Sequence, residues 1–205
     1  MTQRNSPLSS KDFKWSNLVI VILVVLIIYR MVSIRHVHGP RNGTLPNLAL
    51  HTVDGQQISM QQLRGSAILL NFWATWCGPC RLEVPWLQKL ADEHSKEGLI
   101  VIGVLQDDAP DAAVKAFMAD HHAHYLVVHD SGEIAAQMGG ITGLPTTFYI
   151  GRNGTIVHSV GGLVPEMLME SYARDALKQD LAIAPDARRK NLYLPGTAQN
   201  GSAKK

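Results

Sequence analysis

Two cysteines separated by two residues, Cys77 and Cys80, are the side chains whose type and spacing best suggest chemistry, and the sequence contains no other cysteine. A bond between them would close so short a loop that it would constrain the unfolded chain little, so stabilisation is a weak explanation for the pair. The count excludes a four-cysteine zinc site. The pair therefore indicates either redox chemistry or a metal site made of two thiolates.

The sequence around the pair predicts that Cys77 stands at the start of a helix. The apolar run 67–72 is typical of a strand buried on both faces, and residues 79–93 follow a helical pattern. Unsatisfied N–H groups and the helix dipole favour a thiolate there and lower a cysteine pKa from about 8.5 to roughly 3.5–7.5. Cys80 would lie one turn further along the same face, where it could resolve a mixed disulfide on Cys77.

The elements that position this motif predict an α/β fold. Short strands are expected on either side of a turn within residues 45–59, and further strands and helices alternate after the motif. The later strands are expected at 99–105, 125–128, 146–150 and 155–160, and the later helices at 111–121, 132–138 and 164–182. This order is that of a thioredoxin fold with an N-terminal β extension and a central insert.

The charge of the chain is divided between its ends and its middle. Residues 1–41 carry a net charge of +5 and residues 186–205 a net charge of +4, whereas residues 42–185 carry −7. Nucleic-acid binding requires a basic face that neutralises phosphates. The acidic middle therefore argues against a nucleic-acid partner.

The N-terminal part of the sequence favours an uncleaved membrane anchor over a cleaved export signal. Residues 18–29 form an unbroken apolar run that follows two lysines, and no small-x-small cleavage site follows the run. Extending the helix to residues 15–34 gives a length that could span a bilayer, with Arg30 reaching back to the interface. We therefore divide the chain into a cytoplasmic segment (1–14), a transmembrane signal-anchor (15–34), a linker (35–44), the thioredoxin-like domain (45–182) and a disordered basic tail (183–205).

Residues 45–182 resemble the membrane-anchored thioredoxin-like proteins of the TlpA/ResA type. The matching stretches are 65–85 (GSAILLNFWATWCGPCRLEVP), 143–148 (GLPTTF), and Asn153-Gly154 with Gly161. The resemblance implies extracytoplasmic thiol–disulfide exchange at a bacterial inner membrane, with the domain facing the periplasm or the cell exterior. It also implies disulfide-containing exported proteins as substrates and a membrane thiol electron donor.

The resemblance further assigns site residues. It implies a cis-proline at Pro145, so that Gly143, Leu144 and Pro145, together with Trp76, would bind an extended substrate chain. It also implies a functional acid at Glu83, which could accept or supply protons during exchange.

Two positions depart from related patterns. Asn71 stands where cytoplasmic thioredoxins have a buried aspartate, which favours Glu83 for the acid role. The resemblance also suggests a role in cytochrome c biogenesis, but members dedicated to it often have a glutamate directly after the cis-proline, where this chain has Thr146.

The sequence thus predicts a tethered enzyme that reduces disulfides and needs no cofactor beyond its redox-active Cys77–Cys80 disulfide. The Gly78-Pro79 dipeptide is that of reducing thioredoxins. One alternative is a metallochaperone that binds Cu(I) through the same two thiolates, because soft ligands select that ion. Another is a tethered oxidase or isomerase that uses the same pair. A histidine cluster at 121, 122 and 124 could bind a metal, but we interpret it as a solvated surface, and no metal site is predicted.

Overall fold

A computed structural model describes residues 15, 17–26, 35–36 and 43–179 of the chain. The chain divides into two units, Met1–Ser33 and Ile34–Lys205. In the first unit residues 17–26 are helical, and each apolar side chain from Leu18 to Leu26 is about half exposed. None of the helices in the described ranges has the length and apolar character needed to cross a membrane. The predicted segments 1–14 and 183–205, and part of 15–34, lie outside the described residues.

The second unit is built on one mixed sheet. Its strands are β1 (Arg35–His36), β2 (Ala49–Thr52), β3 (Gln57–Ser59), β4 (Ala67–Trp73), β5 (Leu99–Leu105), β6 (Leu126–His129), β7 (Thr146–Ile150) and β8 (Ile156–Gly161). Its helices are α1 (Gly78–His94), α2 (Asp111–Asp120), α3 (Glu133–Gln137) and α4 (Glu166–Lys178). The eight strands lie in the order β1-β8-β7-β4-β5-β6-β2-β3, with β4, β5 and β6 parallel and the other pairs antiparallel.

The central strand β4 separates two apolar layers because its side chains alternate between the faces of the sheet. Leu69 and Trp73 pack with residues of α1, α2 and α4 in one core cluster. Leu70 and Phe72 pack with residues of α3 and the β2–β3 hairpin in the other. All seven residues of β4 are buried, which accounts for its continuous apolar sequence. Asn71 shares the parity of Leu69 and Trp73, so it faces the layer that contains α1.

The thioredoxin-like α/β fold predicted from sequence is confirmed, and most element bounds agree within two residues. Strands β5 and β7 have the predicted limits, and the last helix begins at Glu166 rather than 164 because Pro165 precedes it. The segment predicted as a linker contains the two-residue strand β1, in which Arg35 pairs with Gly161. This pairing is made by backbone groups, so no side-chain pattern indicated it.

Candidate active site

The cysteine pair lies where β4 leads into α1, as the sequence predicts. Cys77 has extended backbone angles and caps the helix, and its Sγ accepts a hydrogen bond from the backbone N–H of Cys80 at 3.3 Å. Pro79 occupies the first turn, where a missing N–H leaves no helical bond unmade. One sulfur is therefore held at the open N–H end of the helix, which is the end that stabilises negative charge.

Cys77 and Cys80 are bonded to each other, with their Cα atoms 5.3 Å apart. Both residues are buried, Cys77 being 4% and Cys80 2% exposed, so the difference between them is small. The neighbouring Trp76 is 69% exposed, and Gly78 and Pro79 are exposed as well. The disulfide thus lies just beneath a surface of which an aromatic ring and a glycine-proline turn form part.

The segment that contains Pro145 borders the same end of the sheet. The Leu144–Pro145 peptide bond is cis, which confirms that prediction. Strand β7 begins at the next residue, Thr146, which pairs with Phe72 near the end of β4. Gly143 is exposed, Leu144 is half-buried and the Pro145 carbonyl accepts the N–H of Gly162 at 2.7 Å. The segment therefore lies beside the strand end from which the cysteine loop departs.

Glu83 is completely buried in α1, three residues after Cys80. Its Oε1 accepts the backbone N–H of Val164 at 2.7 Å, and its Oε2 accepts from the Asn71 amide at 3.3 Å. Burial raises the pKa of Glu83 from 4.5 to about 8, because desolvation of the carboxylate outweighs these two hydrogen bonds. A carboxyl with such a pKa can hold or release a proton near neutral pH.

Asn71 connects Glu83 to the neighbouring strand. Its Nδ2 donates both to Glu83 and to the Thr147 hydroxyl, the latter at 2.9 Å, and Asn71 and Thr147 are register partners on β4 and β7. The sequence singled out Asn71 only as a departure from a related pattern, and it gave no signal for Thr147 or for the backbone of Val164. The structure assembles these groups because the sheet register and the β8–α4 connection bring them to Glu83.

His121 and His124 make contacts with different partners. His121 bonds the Phe117 carbonyl and stacks on the Phe117 ring, whereas His124 contacts Gln88 and Asp92. Among the described residues, the side chains close enough to share a metal ion are instead Glu93, His94 and Glu170. In that group both ring nitrogens of His94 already bond carboxylates, those of Glu97 and Glu170, so an ion-pair network explains the arrangement.

The fold and the site together define a protein of the thioredoxin-like class. The sequence model described as Redoxin matches residues 40–177. The thiol-disulfide oxidoreductase ResA of Bacillus thuringiensis (strain Al Hakam) is 32% identical over 129 residues, which cover 63% of this chain and 74% of that relative. The ResA of Bacillus subtilis (strain 168) is 31% identical over 127 residues, 62% of this chain and 70% of the relative.

Solved structures agree with this likeness. A thiol:disulfide interchange protein of the thioredoxin family from Chlorobium tepidum is 28% identical with a TM-score of 0.60, and the match covers 70% of this chain and 99% of that one. StoA of Bacillus subtilis is similar in fold. It is 24% identical with a TM-score of 0.54, and the match covers 63% of this chain and 98% of that one. The chain belongs to the Redoxin family, and it is a thiol–disulfide oxidoreductase of the TlpA/ResA-like kind.

Proposed function

We propose that this chain reduces disulfide bonds of exported proteins by dithiol exchange through Cys77 and Cys80. The observation that carries the proposal is the disulfide at the N-terminus of α1, in which the Sγ of Cys77 accepts the N–H of Cys80. A sulfur held this way is a good leaving group when the disulfide opens and a good nucleophile as a thiolate. Exposed Trp76 beside it offers a surface for a protein substrate.

Reduction of a substrate disulfide takes two steps. The Cys77 thiolate attacks one sulfur of the substrate disulfide, so that a mixed disulfide forms and the other substrate sulfur leaves as a thiolate. The Cys80 thiolate then attacks the Cys77 sulfur, which forms the Cys77–Cys80 bond and releases the second substrate thiolate. The substrate gains two electrons and the enzyme loses two, which a thiol electron donor in the membrane must return. The bonded pair described above is the product of this half-cycle.

Glu83 is the proposed proton acceptor for the second step. Cys80 must lose its proton before it can attack, and Glu83 stands one turn further along the same helix with a pKa of about 8. Its buried setting supports the role because a group that titrates near working pH both accepts and returns protons. Asn71 and the Val164 N–H would hold the carboxyl in place.

Substrate docking is proposed for Trp76, Gly143, Leu144 and Pro145. An extended chain can add to exposed backbone as a further strand would, and its cysteine would then face the disulfide. The exposure of Gly143, and the position of this segment beside the end of β4, support the assignment.

We also propose that the enzyme works outside the cytoplasm and is tethered by its N-terminal apolar segment. The half-exposed apolar side chains of the helical residues 17–26 support a hydrophobic environment for that segment. Carbonate extraction of membranes, followed by N-terminal sequencing, tests the tether. Recovery of the chain in the soluble fraction with a start beyond residue 30 would contradict it.

Insulin reduction by the full chain, with dithiothreitol as donor, tests the activity. We expect turnover by the wild type that a copper chelator leaves unchanged, and none by Cys77→Ser. The Cu(I) alternative predicts instead that added chelator removes a bound ion and that disulfide reduction is negligible. Exchange is favoured over copper transport because the relatives of this chain are named thiol-disulfide oxidoreductases.

A further inference from the structure

The loop that carries Trp76 and Cys77 is held by side-chain hydrogen bonds at Thr75, two residues before Cys77. The Thr75 N–H and hydroxyl both donate to Oδ2 of Asp107, each at 2.7 Å. The Thr75 carbonyl accepts two hydrogen bonds from the Arg81 guanidinium, from Nε at 3.1 Å and from Nη2 at 2.8 Å. All the polar groups of this residue are thus bonded to two side chains of opposite charge, which we call the Thr75 clamp.

The acidic half of the clamp is placed by the sheet. Strands β4 and β5 are parallel, and Trp73 at the end of one pairs with Leu105 at the end of the other. The carboxyl ends of parallel strands meet at one edge, so the residues two positions beyond each end, Thr75 and Asp107, face each other. The second oxygen of Asp107 accepts the N–H of Ala109 at 3.2 Å, which fixes the carboxylate in its own loop.

The basic half of the clamp is placed by the helix. Arg81 lies in the first turn of α1, and its backbone N–H donates to the carbonyl of Cys77 at 3.2 Å. Its side chain turns back toward the start of the helix, and the guanidinium carbon lies 5.7 Å from the centroid of the Phe117 ring. Phe117 in turn packs on Trp73, with ring centroids 5.0 Å apart. Arg81 therefore ties the first helical turn to the loop that precedes it.

We propose that Arg81 and Asp107 are positioning residues that hold Thr75 from both sides and thereby fix Trp76 and Cys77 for attack on a substrate disulfide. This proposal rests on the proposed function, because it deepens the account of the same site. Neither side chain is given a proton-transfer or nucleophilic role. Charge-assisted hydrogen bonds are about twice as strong as neutral ones, so this pair suits a loop that must stay fixed while a sulfur is transferred.

Four variants and one control test the clamp in the full chain. They are Arg81→Gln, Arg81→Lys, Asp107→Asn and the double variant Arg81→Gln/Asp107→Asn, with Arg64→Gln as the control. Arg64 is an exposed arginine that precedes β4 at the end opposite the cysteines. Activity is compared as kcat/KM for insulin reduction, on the high-pH plateau of each variant where Cys77 is fully ionised. Amide hydrogen exchange at Cys77 and the unfolding midpoint are measured alongside.

Without one side of the clamp, the loop that carries Cys77 should be held less precisely. We therefore expect kcat/KM to fall by about 10- to 100-fold in both Arg81→Gln and Asp107→Asn. The two variants remove opposite charges. If Arg81 and Asp107 acted only through their charges, the variants would shift the Cys77 pKa in opposite directions, and kcat/KM on the plateau would change little. Arg81→Lys should lose less activity because an ammonium still donates to the Thr75 carbonyl. The double variant should lose little more than the worse single variant, since both act through Thr75. Exchange at Cys77 should be about tenfold faster in both single variants and unchanged in the control.

Plateau kcat/KM within twofold of wild type in both single variants, or losses that multiply in the double variant, would overturn the clamp. If Asp107→Asn fails to fold, the variants Arg81→Gln and Arg81→Lys test the clamp without it, because Arg81 is exposed. If the wild type does not reduce insulin, the proposed function fails, and the clamp is judged on hydrogen exchange. Unchanged exchange at Cys77 in Arg81→Gln would then overturn it.

Discussion

Replacing Glu83 with glutamine keeps the shape of the side chain and removes its titration. In the wild type the folded state raises the Glu83 pKa from 4.5 to about 8, chiefly through burial. The folded protein therefore binds this proton more tightly than the unfolded chain does. Stability from this group is fully present below pH 4.5 and is lost as the pH rises toward 8.

The size of the effect follows from the shift. One pKa unit corresponds to about 1.4 kcal/mol, so the wild type should lose roughly 3 to 4 kcal/mol of unfolding free energy between about pH 5 and 8 through this group alone. Glu83→Gln should lack that loss. The glutamine carbonyl can still accept the N–H of Val164, so the variant should match the wild type at the acid end of the range.

Urea unfolding of both proteins from about pH 5 to 9 measures the difference directly, and insulin reduction over the same range measures its catalytic consequence. We expect the stability curves to diverge with rising pH, the variant becoming the more stable. We expect turnover of the variant to fall and its pH profile to change, because Cys80 loses its proton acceptor. Parallel stability curves and superimposable rate profiles would show that Glu83 neither titrates with a raised pKa nor takes part in proton transfer.

Two further predictions concern other titrating groups. Alkylation of the reduced protein against pH should show a low-pKa phase that maps to Cys77, and a single phase near the ordinary cysteine value of about 8.5 would remove the helix-terminus argument. Burial lowers the pKa of His94, but hydrogen bonds to Glu97 and Glu170 outweigh it and leave that pKa raised above 6.5. Its stabilising contribution is fully present below pH 6.5 and is lost as the pH rises through the raised pKa. His94→Gln should therefore destabilise the protein more at pH 6 than at pH 9, and equal losses would contradict this.

The sequence could predict the parts of the site that depend on local order along the chain. A buried strand followed by Cys77, Pro79 and a helix can be interpreted within one short window, and the cysteine at the helix start follows from it. The contact between Asn71 and Glu83 needs more than one such window to predict. It requires that Asn71 face the α1 layer, which the alternation along β4 determines, and that Glu83 stand on the inner face of the helix.

The parts that could not be predicted depend on register between distant segments. Asp107 reaches Thr75 because Leu105 pairs with Trp73, and a shift of one residue would separate them. The bond from Val164 to Glu83 uses a backbone N–H, which no side-chain pattern indicates. The same holds for the pairing of Arg35 with Gly161, which placed a strand where the sequence predicted a linker.

The most direct test of dithiol exchange is to incubate reduced Cys77→Ser and Cys80→Ser with a disulfide-bonded protein substrate and to analyse the products by non-reducing electrophoresis and peptide mass spectrometry. Cys80→Ser should accumulate a mixed disulfide through Cys77, because no second thiol resolves it. Cys77→Ser should form no such adduct and should have no reductase activity. Reductase activity in Cys77→Ser, or an adduct mapped to Cys80 in that variant, would contradict the assignment of Cys77 as the attacking sulfur.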